Sequence, residues 1–321
     1  MGSQRVVATF HLPREWLGAL PDLTDFVEWG SEEPAPRDWL LKEVGEADGL
    51  LCTVTDRVDG EILRAARRLR AISTYSVGYD HIDVGAARAR GIRVGYTPNV
   101  LTDATADLAF ALMLAVSRRV VEGDRLVRSG GWRIPWSATF MLGSEVHGRT
   151  IGIIGMGRIG RAIARRAAGF DMKVLYSSRT PKPDVAAEYV PLDALLPRSD
   201  FVVLAVDLNP STYHMVDYGF LRMMKRSAYL VNVSRGKVIV ERDLIRALEE
   251  GVIAGAALDV FEDEPIGADH PLARMNNVVL TPHLGSATVE TRRRMAEVAV
   301  ENLLRGLRGD PMLYEVGSEV P

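Results

Sequence analysis

Apolar residues fall into two series of short runs, with stretches of helical spacing between the runs. In the first hundred residues VVATF (6–10), GLLCTV (49–54), AISTYSV (71–77) and IRVGY (92–96) read as strands. Between them PREWLGAL, RDWLLKEVGEA, GEILRAARRLR and VGAARARG have helical spacing. Strands alternating with helices predict parallel βαβ units, hence one small doubly wound α/β domain. The second series is TIGIIG (150–155), KVLYSS (173–178), FVVLAV (201–206), AYLVNVS (228–234), IAGAALDV (253–260) and VVLTP (278–282). It predicts a second doubly wound parallel-sheet domain.

The stretch between the two series, residues 102–129, predicts one long helix capped by Thr102 or Asp103 and ended by Gly130-Gly131. Its Leu108–Val116 part is apolar nearly all round, which predicts burial between the domains. GWRIPWSATFMLGSEVHG (131–148) has little periodicity, and a loop of that length predicts a functional or interface role. A final helix from about Val289 to Leu307 is expected to return to the first domain. The expected domains are therefore 1–100 plus 287–321, and 101–286.

Composition narrows the class without changing this picture. A length of 321 residues suits two domains. A net charge of −3 offers no basic footprint for nucleic acid or an anionic membrane. No apolar run is long enough to span a bilayer, and MGSQRVVATF lacks the pattern of a secretory leader. Cys52 is the only cysteine, which excludes an intrachain disulfide and a four-cysteine zinc site. No metal is expected, and the expected compartment is the cytoplasm.

Gly155, Gly157 and Gly160 form G-x-G-x-x-G directly after a strand and at the opening of a helix. In that setting the motif predicts a dinucleotide pyrophosphate on the turn and the helix N-terminus. The acid that binds the ribose 2′-hydroxyl of NAD is missing at the next strand end, where Ser178, Arg179 and Thr180 stand instead. A guanidinium and two hydroxyls suit a 2′-phosphate, so NADP is the expected cofactor, with NAD as the second choice. Lys182 adds a weaker attraction.

Ligands in such sheets bind beyond the carboxyl ends of the strands. Those ends carry Asp207, the run Asn232-Val233-Ser234-Arg235-Gly236, the acidic set Asp259, Glu262, Asp263 and Glu264, and Thr281-Pro282-His283. An arginine to hold a carboxylate, a histidine to pass a proton and a carboxylate to hold the histidine are what hydride transfer to a 2-keto acid requires. Chemistry alone does not choose among Glu262, Asp263 and Glu264.

The chain resembles the D-isomer-specific 2-hydroxyacid dehydrogenases, and among them the glyoxylate/hydroxypyruvate reductases. The motifs are STYSVGYDHIDV (73–84), TDATADLAFALML (102–114), GIIGMGRIGRAIARR (152–166), VNVSRGKVI (231–239), ALDVFEDEP (257–265) and TPHLGSAT (281–288). The resemblance implies a flavodoxin-like substrate domain, a Rossmann cofactor domain and an active site between two lobes. It assigns Arg235, Glu264 and His283 as catalytic, and substrate contacts to Thr53, Val54, Val77, Gly78, Arg235 and His283. Cofactor contacts are implied at Thr105, Gly155, Met156, Gly157, Arg158, Ile159 and Gly160, and at Ser178, Arg179, Thr180, Val206, Asp207 and Thr212. Val233, Ser234, Arg235, Asp259, His283 and Gly285 complete that set. A homodimer is implied, with the 131–148 loop and Trp136 reaching toward the other subunit. One departure is Asp207, where many relatives carry proline.

The implied activity is reduction of glyoxylate or hydroxypyruvate to glycolate or D-glycerate. Alternatives are other substrates of the class, such as D-lactate or D-3-phosphoglycerate, or a dinucleotide-sensing corepressor. Formate enzymes of this type carry glutamine for the catalytic glutamate, so Glu264 argues against them. A chain ending at Pro321 without a regulatory domain or disordered tails makes a regulated phosphoglycerate enzyme and a corepressor the weaker expectations.

Overall fold

The computed structural model describes residues 3–318, which divide into two compact units at Leu101/Thr102 and Ala287/Thr288. In the first unit β1 (Arg5–Ala8), β2 (Asp25–Glu28), β3 (Gly49–Cys52), β4 (Ala71–Thr74) and β5 (Arg93–Gly95) form one sheet in the order β2-β1-β3-β4-β5. Every pair is parallel, and the order is that of a flavodoxin-like sheet. The inner strands β3 and β4 are buried throughout, as strands covered by helices on both faces must be.

The C-terminal helix Val289–Arg308 covers one face of this sheet. Its Ala296, Ala299, Leu303 and Leu307 pack with Val6, Ala8, Leu51 and Ala71. Asn302, fully buried on the same helix, donates to the Tyr96 carbonyl at 2.9 Å and accepts from Tyr314 N–H at 3.0 Å. The segment from Thr288 onward thus belongs to the first unit.

The second unit has seven parallel strands in the order β12-β11-β10-β9-β6-β7-β8: β6 (Thr150–Ile154), β7 (Lys173–Ser177), β8 (Glu188–Tyr189), β9 (Phe201–Leu204), β10 (Tyr229–Asn232), β11 (Gly255–Leu258) and β12 (Val278–Leu280). This is the Rossmann order with one strand added. Alternate residues serve opposite faces. Phe201 and Val203 pack with Ile151 and Ile153, whereas Val202 and Leu204 pack with Ile154 and Leu230 on the other side. Among the described residues no helix is long and apolar enough to cross a membrane.

Several expectations are corrected. The 102–129 helix is two helices, Thr102–Ser117 and Val120–Arg128. Arg119 between them has φ 55°. The Ser117 hydroxyl bonds back to the Met113 carbonyl, while the Ser117 carbonyl accepts from Ser144 N–H at 2.8 Å. A Cβ on Gly143 would lie 2.4 Å from that carbonyl oxygen. The break is held by the following loop and leaves no glycine or proline signal at its own position. The apolar face of Thr102–Ser117 is buried within the second unit, where Ala109, Phe110, Leu112 and Met113 join the core around Ile151 and Val203. The short strands β2 and β8 escape the sequence reading. Both stand at sheet edges and carry the charge and exposure typical there.

Candidate active site

The loops after β10, β11 and β12 are adjacent because their strands are. Asn232, buried at the end of β10, organises the first loop. Its Oδ1 accepts from the Ser234 N–H at 3.0 Å and hydroxyl at 2.7 Å, and its Nδ2 donates to the Arg235 carbonyl at 3.0 Å. The Arg235 guanidinium in turn donates to the Ser234 carbonyl at 3.0 Å. Gly236 then lies against the second loop. A Cβ there would stand 1.7 Å from the Phe261 oxygen and 1.8 Å from its carbonyl carbon, so no other residue permits this approach.

Glu264 Oε2 is 2.9 Å from His283 Nδ1, and its Oε1 accepts from Phe261 N–H at 2.9 Å. Burial pushes the Glu264 carboxyl up. Hydrogen bonds from His283 and Phe261, with the charges of His283 and Arg235, outweigh that and hold it below the usual range. Of the three acids that chemistry left open, Glu264 is therefore the one touching the histidine. Glu262 bonds His214 instead, at 2.7 Å, and Asp263 is exposed.

Asp259, at 2% exposure, is the clamp of the third loop. Its Oδ1 accepts from the Thr281 hydroxyl at 2.6 Å and Leu284 N–H at 2.7 Å, and its Oδ2 from Gly285 N–H at 2.8 Å. Its carbonyl accepts from His283 N–H at 2.9 Å. His283 has φ 54°, a backbone that ordinary residues keep only when their surroundings impose it. Burial raises the Asp259 carboxyl, against the pull of Thr281, Leu284, His283 and Gly285. Thr105 donates to the Gly285 carbonyl at 2.9 Å. The polar groups of Asp259 and Thr105, both expected at the cofactor, are thus engaged by the histidine loop itself. The sequence reading missed the organising roles of Asn232 and Thr281. The signal available was a short polar side chain at or just beyond the carboxyl end of a buried strand.

The glycine turn sits between β6 and the helix Arg158–Ala168. Gly155 has φ 95°, and a Cβ there would be 2.3 Å from the Ala205 oxygen. A Cβ on Gly160 would be 2.1 Å from the Gly155 oxygen. Both are required by the protein's own packing. Gly157, the N-cap residue, is different: a Cβ there meets nothing within 4 Å. Open space beside a glycine at a helix N-terminus is what a pyrophosphate would fill, so these residues fit a dinucleotide. Met156 is buried beneath the turn, and Arg158 is exposed beside it.

At the end of β7 the Ser178 hydroxyl donates to the Thr180 carbonyl at 2.7 Å, so its proton is committed within the turn. Arg179 and Thr180 are exposed. Beyond β9, Val206 is half-buried and Asp207 is exposed, and the Asp207 carbonyl accepts from the Thr212 hydroxyl at 2.6 Å. Val233 and Ser234 are buried at the end of β10.

In the first unit Thr53 and Val54 follow β3, and Val77 and Gly78 follow the neighbouring β4. Thr53 N–H donates to the buried Asp56 carboxylate at 2.7 Å. The N–H groups of Val77 and Gly78 donate to no group among the described residues.

Residues 110–285 match the family described as D-isomer specific 2-hydroxyacid dehydrogenase, NAD binding domain. A glyoxylate reductase of Korarchaeum cryptofilum is 50% identical over 320 residues, covering 98% of this chain and 96% of that protein. A Thermus thermophilus protein of known structure superposes with TM-score 0.91 at 46% identity, over 98% of this chain and all of that one. The NADPH-dependent glyoxylate/hydroxypyruvate reductase of Sinorhizobium meliloti, solved with NADP and malonate, superposes with TM-score 0.88 at 32% identity, over 98% of this chain and 97% of that one.

Proposed function

The chain belongs to the D-isomer-specific 2-hydroxyacid dehydrogenase family, and on that premise we propose that it reduces glyoxylate and hydroxypyruvate to glycolate and D-glycerate, preferring NADPH. It is an oxidoreductase with a nicotinamide dinucleotide cofactor. The observation that carries the reading is the 2.9 Å contact of His283 with Glu264, on the two loops that follow the strands beside that of Arg235.

The residues divide the work by chemistry. Arg235 binds the substrate carboxylate and polarises the carbonyl, and the N–H groups of Val77 and Gly78 are donors suited to a carboxylate. Thr53 and Val54 line the substrate's place. His283 gives its proton to the carbonyl oxygen as general acid, while Glu264, ionised, orients the ring. The bound cofactor supplies the hydride. Gly155, Met156, Gly157, Arg158, Ile159 and Gly160 hold its pyrophosphate, and Arg179 with Thr180 reads the 2′-phosphate. A malonate-bound and NADP-bound relative supports this division, and glyoxylate reductases at 50% identity support the substrate.

We place the enzyme in the cytoplasm as a homodimer. Val120 and Val127 on one helix and Trp132, Ile134, Trp136 and Leu142 on the following loop are all at least half exposed, with Trp136 at 79%. Such a cluster exceeds the scattered apolar residues of an ordinary surface.

The experiment is a panel of 2-keto acids assayed with NADPH and with NADH. Glyoxylate or hydroxypyruvate with NADPH should give the highest kcat/KM. Best activity on pyruvate or 3-phosphohydroxypyruvate would replace this reading with another member of the class.

A further inference from the structure

The turn after β4 holds a chain of hydrogen bonds that none of the assigned roles uses. The Ser76 hydroxyl donates to the Gly78 carbonyl at 2.6 Å. Thr74 Oγ1 lies 2.7 Å from Ser76 Oγ, and His81 Nε2 lies 3.0 Å from Thr74 Oγ1. Thr74 is fully buried and Ser76 is 4% exposed, so these groups have no ready exchange with water.

Proton counting fixes the direction of the chain. A carbonyl only accepts, so the single Ser76 hydrogen is committed to Gly78. Ser76 Oγ must then accept from Thr74, which commits the single Thr74 hydrogen. Thr74 Oγ1 must in turn accept from His81, so Nε2 of His81 carries a hydrogen. The order is His81 to Thr74 to Ser76 to Gly78. Its far end is anchored independently, since the His81 carbonyl accepts from Val58 N–H at 2.9 Å, and Asp83 N–H donates back to the Val58 carbonyl at 2.9 Å. The Ser76 carbonyl is held by Thr97 N–H at 2.9 Å.

We infer that His81 is a positioning residue for substrate, acting through Thr74 and Ser76 on the turn Val77–Gly78. This rests on the reading that those two N–H groups bind the substrate carboxylate. Glycine has the widest backbone freedom of any residue, and an unanchored Gly78 would let the two donors turn away from a common target. The bond from Ser76 holds the Gly78 carbonyl and with it the adjoining peptide. Because the chain is buried and directional, losing its first donor leaves Thr74 short of a partner and loosens the whole series.

The test has two arms. Nitrogen-15 NMR of histidine-labelled protein, with the ring neutral, should show His81 as the Nε2–H tautomer, and the Nδ1–H form would overturn the chain. In kinetics Ser76→Ala and His81→Leu should each raise KM for the 2-keto acid about 3- to 10-fold, the worth of one neutral hydrogen bond. KM for NADPH and kcat should stay within about twofold. His81→Gln, which keeps an N–H donor, should restore most of the loss. The double variant His81→Leu/Ser76→Ala should cost little more than Ser76→Ala alone, because both act through one chain. Unchanged KM in an active protein, or equal losses in kcat and both KM values, would sink the inference. A wild type that reduces no 2-keto acid would instead sink the functional reading beneath it. Thermal melts identify any variant that fails by unfolding, and His81→Gln and Ser76→Ala, the mildest changes, then decide.

Discussion

Glu264 and His283 meet through Oε2 and Nδ1 at 2.9 Å, while the second oxygen of Glu264 is held by Phe261 N–H at the same distance. One carboxylate is thus fixed from both sides, and it fixes one edge of the imidazole. That leaves Nε2 of His283 for the proton transfer proposed above. In the proposed function the pair serves as a general acid with its orienting partner, and the predictions follow from the charge each group carries.

The Glu264 carboxyl is held below the usual carboxylate range, so its ionised form is present at and above the ordinary value of about 4.3 and is lost only as pH falls further. Any stability this pair adds therefore persists through neutral pH and fades in acid. Activity should show the loss of the same partner. Glu264→Gln leaves one acceptor oxygen where the carboxylate offers two, to Phe261 N–H and to the His283 ring, so the ring loses its fixed orientation and kcat should fall. His283→Ala should lower kcat by about 10²-fold or more at every pH. A His283→Ala enzyme with wild-type kcat across the range would remove the histidine from its role.

Gly236→Ala tests the close approach of the Arg235 loop to the acidic loop. The added Cβ would overlap the Phe261 carbonyl, at 1.7–1.8 Å, so one loop must move. Overpacking of this kind costs about 1–3 kcal/mol or more. The variant should melt at lower temperature and show a raised KM for the keto acid with a reduced kcat, because Arg235 moves with its loop. Wild-type kinetics with a lowered melting temperature alone would separate the packing from the chemistry.

Asp259→Asn tests the clamp beneath His283. An amide offers one oxygen, whereas the carboxylate serves Thr281 and Leu284 on one oxygen and Gly285 on the other. In either orientation a donor faces an NH2 group, at about 1–3 kcal/mol for a buried unsatisfied group. Burial raises the Asp259 carboxyl, so its contribution to stability is full below the ordinary carboxylate value and is lost as pH rises through its folded value. The stability difference between variant and wild type should therefore change with pH only on the acid side, while kcat is reduced at neutral pH. Unchanged kcat would mean that His283 keeps its φ 54° backbone without the clamp.

How much of this was legible in the sequence depends on how local each cause is. The strands of both sheets other than the edge strands β2 and β8 were legible because buried parallel strands are continuous apolar runs, and the glycine turn because each glycine has its own steric or open-space reason. Arg235 and His283 stood out as polar groups just beyond such runs. Glu264 could not be told from Glu262 and Asp263 by composition, since the distinction lies in which one meets His283 on the loop after β12 and which meets His214 instead. The break at Arg119 was illegible for a similar reason, being held by Gly143 and Ser144 on the following loop.

The exposed apolar cluster on Val120–Arg128 and the loop after it makes a prediction about assembly. Light scattering at micromolar concentration should give a dimer, and Val127→Glu combined with Leu142→Glu should give monomers. If Trp136 serves the partner subunit's site, those monomers should also lose activity. A fully active monomeric wild type would count against the dimer altogether.

The proposed preference for NADPH is expected to turn on Arg179. A 2′-phosphate brings up to two negative charges, and no carboxylate stands at Ser178 to repel it. Ser178 contributes less than its hydroxyl suggests, because its proton is already given to the Thr180 carbonyl at 2.7 Å. Discrimination therefore falls mainly on the exposed guanidinium of Arg179. A charge-assisted hydrogen bond contributes about 1.5–3 kcal/mol, roughly 10- to 150-fold in affinity, and exposure to salt places this one toward the lower end. Asp207, exposed beyond β9, opposes the preference if it faces the adenosine, so Asp207→Asn should leave NADPH kinetics equal or improved. Steady-state kinetics with both cofactors decide the matter. Arg179→Ala should lose about tenfold in kcat/KM with NADPH and little with NADH, and the loss should shrink as ionic strength rises. Equal losses with the two cofactors would mean that Arg179 does not read the phosphate, and a wild type that prefers NADH would reverse the assignment.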